Sequence, residues 1–185
     1  GLVLAERGGA DAGGLGDPGV GGWTVLVGPE GGFAPEDLAL LPEGVRLPKK
    51  RYDLIMDVNV RAPFIATREA APHMRSVGGG AIINVSSNAG VRGGNDETAY
   101  CASKFGIEGF SRALAIEMAP HGVSVNTITP GHPVHTAMSE TTYGPEQRKI
   151  WKDPAELTPA FVHLAMQTPD GLNDRYVRAW DLVLE

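Results

Sequence analysis

The sequence predicts an α/β fold in which helices flank a parallel sheet, and three observations carry that expectation. Short β-branched runs at 81–87 and Val123–Thr129 alternate with two long helical segments, the pattern of strand–helix–strand crossovers. A helix over 98–119 would place Ile107, Phe110, Leu114 and Met118 three and four residues apart, a stripe that needs burial. Ser87 and Pro130-Gly131 both close strand-like runs, and open parallel sheets gather their ligands at the strands' carboxyl ends. A chain of 185 residues can bury one good core.

Taken in order, residues 1–48 form a first unit and 49–185 a second. Thirteen of the 25 glycines fall in the first 50 residues, nine of them in the first 22, and Gly8-Gly9, Gly13-Gly14 and Gly21-Gly22 in an Asp/Pro background predict a flexible loop. Trp23-Thr-Val-Leu-Val27 then predicts a short buried strand. Gly28-Pro-Glu-Gly-Gly32 follows, and Pro35-Glu-Asp at 35–37 opens a helix over 35–41, proline and acids being favoured in a first turn. Strand, glycine loop and helix start together suit an anion or a polar ligand edge.

From Arg51 a long helix is expected, with Leu54, Val58, Phe64 and Ile65 as a partial apolar stripe and Pro63 as a kink. Pro72-His-Met74 and Gly78-Gly-Gly80 should end it and lead into the strand closed by Ser87. The polar, glycine-rich stretch 88–98 is a loop. The helix over 98–119 ends at Gly122, before the strand Val123–Thr129. Residues 137–150, rich in Ser, Thr, Glu and Gln, predict a solvated lid. Asp153-Pro-Ala-Glu opens a helix that runs through Met166, and Tyr176-Val-Arg-Ala is the last strand.

Chemistry concentrates on Thr98-Ala-Tyr-Cys-Ala-Ser-Lys104, with Ser87 thirteen residues before Tyr100. Four residues apart on a helix, Tyr100 and Lys104 share one face. An ammonium beside a phenol favours the phenolate, which makes the phenol a usable proton donor or acceptor. A hydroxyl from Ser87 at the strand end would hold a carbonyl or alcohol oxygen next to the tyrosine. This is equipment for hydride transfer with Tyr100 as acid/base. Cys101 has no histidine placed to activate it and is expected to be a small buried helix residue.

The Asn84-Val-Ser-Ser-Asn-Ala-Gly90 segment, the Ser87–Tyr100 spacing, the Tyr-x-x-x-Lys pair and Pro130-Gly131 together resemble the short-chain dehydrogenase/reductase family over about residues 51–185. The resemblance implies a partial Rossmann-like parallel sheet with flanking helices, and NAD or NADP as cofactor. It implies that Tyr100 is the acid/base, that Lys104 lowers its pKa while bonding the nicotinamide ribose, and that Ser87 orients the substrate oxygen. Asn59, 28 residues before Ser87, would hold a water that links the lysine to solvent. Pro130, Gly131 and Thr136 would contact the nicotinamide, Thr136 through its carboxamide, although one residue more than usual separates Gly131 from Val134. The family's usual N-terminal cofactor-binding half, with its Thr-Gly-x-x-x-Gly-x-Gly loop, is missing from this sequence. Residues 2–48 instead resemble the S-adenosylmethionine-binding region of the knotted ribosomal RNA uridine methyltransferases, with Gly28, Gly31 and Gly32 on the cofactor loop.

The expected activity is therefore NAD(P)-dependent interconversion of a small alcohol and a ketone, in a chain that truncation could leave inactive. Two alternatives stand beside it: a non-catalytic remnant that dimerises, and a fragment of a ribosomal RNA methyltransferase. The charge of −6 and pI near 5.4 speak against nucleic-acid binding. No apolar run reaches the ~18–20 residues of a membrane helix, the start lacks the basic region of a signal peptide, and one cysteine suits a reducing cytoplasm. The five histidines show no metal-site spacing, so no metal is assigned. A homo-oligomer is expected, because the helices matching 52–75 and 98–119 commonly form the family's dimer interface.

Overall fold

A computed structural model describes residues 2–6, 23–27, 47–142 and 144–183. Contacts divide the chain into two units, 1–46 and 47–185.

In the first unit, β1 (Leu2–Glu6) and β2 (Trp23–Val27) pair antiparallel, with Leu2 opposite Val27 and Glu6 opposite Trp23. The strand at 23–27 is as expected. The strand at Leu2–Glu6 was not foreseen: Leu2-Val-Leu-Ala is apolar and β-branched enough to take the ladder that Trp23-Thr-Val-Leu-Val offers. The glycine loop at 28–32, the helix over 35–41 and most of the methyltransferase resemblance lie outside the described residues.

The second unit is built on a parallel sheet in the order β3 (Gly80–Val85), β4 (Val123–Thr129), β5 (Arg175–Arg178). Every residue of β4 is buried, as befits a central parallel strand covered on both faces. One layer joins Val123 and Val125 to Leu114, Ala115 and Met118 of α3 (Thr98–Met118), with Ala71 and Met74 of α2 (Ala62–Val77) at its margin. The other joins Ile128 to Ala160 and Leu164 of α6 (Thr158–Ala165) and to Ala179 at the start of α7 (Ala179–Val183). The polar side chains of β4 are satisfied by the approach to β5. Asn126 donates to the Leu172 carbonyl at 2.7 Å and accepts from the Arg175 N–H at 3.1 Å, while the Val125 N–H donates to Asn173. Satisfied in this way, buried amides fix the register instead of weakening it.

The helix expected from residue 51 runs as α1 (Lys49–Met56), a π turn over Asp57–Arg61, and α2. Pro63 has no N–H for the carbonyl of Asn59 four residues earlier, and the chain widens where that bond is lost. The widened turn shifts the helical phase. Leu54, Val58, Phe64 and Ile65, expected as an inward stripe, are 61%, 59%, 51% and 42% exposed, and the inner face carries Thr67, Ala71 and Met74 instead. Nor does Pro72 end the helix. It lies inside α2, which stops at Gly78, left-handed at φ 80°, where the Gly78 and Gly79 N–H groups close onto the Arg75 and Met74 carbonyls. Gly122 ends the next helical stretch in the same conformation.

Among the described residues the outer edge of β3 pairs with no strand. Beside it runs a groove of about 490 Å³ between β3 and α2. Short helices α4 (Ala137–Thr142) and α5 (Pro145–Arg148) lie in the stretch expected to be a lid. Its base is closed by the His135 N–H on the Lys152 carbonyl and the Lys152 N–H on the Pro133 carbonyl, both 3.0 Å. No helix among the described residues is long and apolar enough to cross a membrane.

Candidate active site

Beyond the carboxyl ends of β3 and β4 lies a cavity of about 630 Å³, within the range of small-molecule sites. Asn59, Ser87, Tyr100, Lys104, Pro130, Gly131 and Thr136 all line it. Residues separated by up to 77 positions thus meet because two strands end, and one helix begins, at the same level of the sheet.

Ser87 sits two residues past the end of β3. The ladder continues to Ser86, whose N–H donates to the Ile128 carbonyl at 2.7 Å. Ser87 is the extended residue that opens a short 3₁₀ turn, Asn88–Gly90, and its Oγ accepts from the Ala89 N–H at 3.2 Å. That bond holds the hydroxyl oxygen in place and leaves its proton for an oxygen in the cavity. Close packing of the turn depends on Gly90, where a Cβ would stand 2.8 Å from Ser86 Oγ and 3.0 Å from the Lys104 carbonyl oxygen.

Tyr100 and Lys104 occupy successive turns of α3. The ammonium lies 5.5 Å from the centre of the tyrosine ring and donates to the Val85 carbonyl at 3.0 Å. Lys104 is only 8% exposed, and burial pulls its pKa below the ordinary lysine value. Asn59, on the π turn, donates its amide to Ser103 Oγ at 3.0 Å, and Ser103 donates to the Tyr100 carbonyl at 2.7 Å. The widened turn is therefore fastened to the segment of α3 that carries the tyrosine and the lysine.

On the far wall, Gly131 is left-handed at φ 75°, and a Cβ there would stand 3.0 Å from Arg178 Cβ. Arg178 donates to the Gly131 carbonyl at 3.1 Å, and the Trp180 N–H donates to Pro130 at 3.1 Å. Thr136 reaches the cavity, but its Oγ1 also accepts from the Ser139 N–H at 3.1 Å at the start of α4. Ser139 returns the contact by accepting from the Thr136 N–H at 2.7 Å. Ser139, 2% exposed and part of the wall, was not foreseen from the sequence. Cys101 is half-buried, with its Sγ 3.9 Å from both the Arg92 carbonyl and Glu97 Oε2. His135 is exposed and stacks on Trp151 at 4.5 Å, while His132 borders the cavity.

Ser87, Tyr100 and Lys104 thus bring two hydroxyls and an ammonium to one cavity. Among the described residues, no group of His, Cys, Asp and Glu could hold a metal ion.

Comparison with known proteins bears on this geometry. The family profile described as short chain dehydrogenase matches residues 43–147. The 3-oxoacyl-(acyl-carrier-protein) reductase FabG of Rickettsia bellii is 40% identical over 87 residues, 47% of this chain and 36% of the reductase. Nodulation protein G of Rhizobium meliloti is 40% identical over 99 residues, 54% of this chain and 40% of the relative. The chain thus spans well under half the length of these curated relatives. A short chain dehydrogenase from Shigella flexneri superimposes with a TM-score of 0.64 at 28% identity, over 71% of this chain and 51% of that one. A 4-hydroxyisoleucine dehydrogenase mutant, solved with NADH and succinate, superimposes with the same TM-score at 23% identity, over 71% of this chain and 58% of its own.

Proposed function

The chain belongs to the short-chain dehydrogenase family, and on that premise we propose that its cavity interconverts an alcohol and a carbonyl with a nicotinamide cofactor. The observation that supports this best is the convergence of Ser87, Tyr100, Lys104 and Asn59 on one cavity beyond the strand ends. The bound cofactor would supply the hydride that adds to the carbonyl carbon. As charge gathers on the carbonyl oxygen, Ser87 donates a hydrogen bond to it and Tyr100 delivers the proton that completes the alcohol. The buried ammonium of Lys104 then faces the phenolate and stabilises it until a proton returns. Asn59 steadies this pair through Ser103 and the Tyr100 carbonyl. In the oxidative direction each proton runs the opposite way.

The same residues would hold the cofactor's nicotinamide end: Tyr100 and Lys104 at the ribose, with Pro130, Gly131 and Thr136 at the ring and carboxamide. The choice between NAD and NADP belongs to the adenine end. Exposed Leu54, Val58, Phe105 and Ile116 on α1, the π turn and α3 support association with a second copy of the chain, since apolar side chains gathered on a surface mark contact sites.

The test is cofactor consumption with a panel of small ketones, compared across variants. Tyr100→Phe should lower kcat by about 10²–10⁴-fold, the usual contribution of a positioned acid. Ser87→Ala should lower it by about 10–100-fold, the worth of one hydrogen bond to developing charge. Unchanged rates in Tyr100→Phe would sink the mechanism.

A further inference from the structure

The cavity wall is rich in hydrogen-bond donors, and from this we propose that the substrate is an oxo or hydroxy acid whose carboxylate is taken by Arg92. The inference rests on the carbonyl-reduction reading of the same cavity. Arg92 lines the cavity, and among the described residues no carboxylate lies within ion-pairing distance of its guanidinium. Two amide side chains share the wall, Asn88 and Gln147. Each already has its oxygen occupied within the protein. Asn88 Oδ1 accepts from the Tyr176 hydroxyl at 3.1 Å, and Gln147 Oε1 accepts from the Gly144 N–H at 2.8 Å. With the oxygens so occupied, the NH₂ groups are what these two exposed amides have left to offer a ligand in the cavity.

The acceptor side of the wall is thin by comparison. Its one acidic residue, Glu97, lies against Cys101 Sγ. A wall that offers a guanidinium fork and two amide donors is matched by a carboxylate, which accepts through two oxygens and suits arginine's bidentate geometry. An uncharged ketone would leave these donors to water. Arg92 and Asn88 also lie on the segment between Ser87 and Tyr100, and all four residues line the same cavity. The bond from Tyr176 makes β5 part of the device, because it engages the Asn88 amide oxygen.

The experiment compares 2-, 3- and 4-oxo acids with their methyl esters, by kcat/KM and by calorimetric titration without cofactor, in wild type, Arg92→Gln and Arg92→Lys. Wild type should favour the acid of the best-fitting length by about 10–100-fold over its ester, the range of charge-assisted hydrogen bonds. Arg92→Gln should erase that preference, chiefly through KM, while leaving the ester's kcat/KM and the NADPH dissociation constant within about twofold. Arg92→Lys should restore part of it, keeping the charge but not the fork. The titration stands apart from turnover. Acid-selective binding that Arg92→Gln abolishes supports the carboxylate site even where no cofactor is consumed. Equal handling of acid and ester by wild type, equal losses for both in Arg92→Gln, or weakened NADPH binding in that variant would overturn the proposal.

Discussion

Lys104 carries two opposed demands at the residue scale. Its ammonium is useful because it is buried beside Tyr100, and costly for the same reason. The folded chain holds the Lys104 proton less tightly than the unfolded chain does, since burial lowers its pKa. Stability from this group therefore rises with pH between the lowered folded value and the ordinary 10.5, where the unfolded chain still binds the proton. Lys104→Met should be at least as stable as wild type at pH 7, by up to about 1 kcal/mol, with an advantage that shrinks toward pH 10.5. Denaturant titrations at several pH values measure this, and the variant should show no cofactor turnover. Cys101→Ser should leave turnover within about twofold, because Sγ has only long contacts. That Tyr100, Lys104, Ser87 and Pro130-Gly131 would meet at one cavity was legible, because one helix face and two strand ends bring them together. Arg92, Asn88 and Gln147 were not. Which amide atom is left for a ligand is decided by partners, Tyr176 and Gly144, that lie 88 and 3 positions away.

At the scale of elements, the helices and strands from residue 80 onward followed their pattern closely. Val123–Thr129 is a strand to the residue, and Ile107, Leu114 and Met118 are buried as their spacing requires. The π turn escaped notice because proline was expected to kink the helix rather than widen it. Its effect was to turn a plausible apolar stripe outward. Pro63→Ala would return an N–H to the Asn59 carbonyl and favour a regular helix. The expected outcome is unchanged or slightly higher thermal stability with about tenfold lower turnover, as Asn59 leaves Ser103. The glycine junction beside β3 is under tighter control. A Cβ on Gly122 would stand 2.4 Å from the Gly78 carbonyl oxygen, in a left-handed backbone. Gly122→Ala should cost about 2 kcal/mol or more and lower the thermal midpoint by about 4–8 °C in a scanning experiment.

Over the whole molecule, a three-stranded parallel sheet gathers Ser87, Tyr100 and Lys104 at one cavity beyond its strand ends but has one unpaired edge at β3, among the described residues. The apolar residues exposed along α1 to α3 add a second incomplete surface. Light scattering should find a dimer, and Leu54→Asp combined with Phe105→Glu should give a monomer that keeps its circular dichroism. The sequence revealed the sheet because alternating strands and helices leave few arrangements. It did not reveal the first strand, since Leu2–Glu6 finds its partner only across the glycine-rich stretch before Trp23. The account's central claim is that Tyr100 and its neighbours still perform reduction in this chain. The most direct test supplies NADPH deuterated at the transferred position with a small oxo acid and weighs the hydroxy acid formed. One deuterium in the product from wild type, and none above background from Tyr100→Phe, is the predicted result. No deuterium from wild type with either NADPH or NADH, or equal incorporation by both proteins, would contradict it.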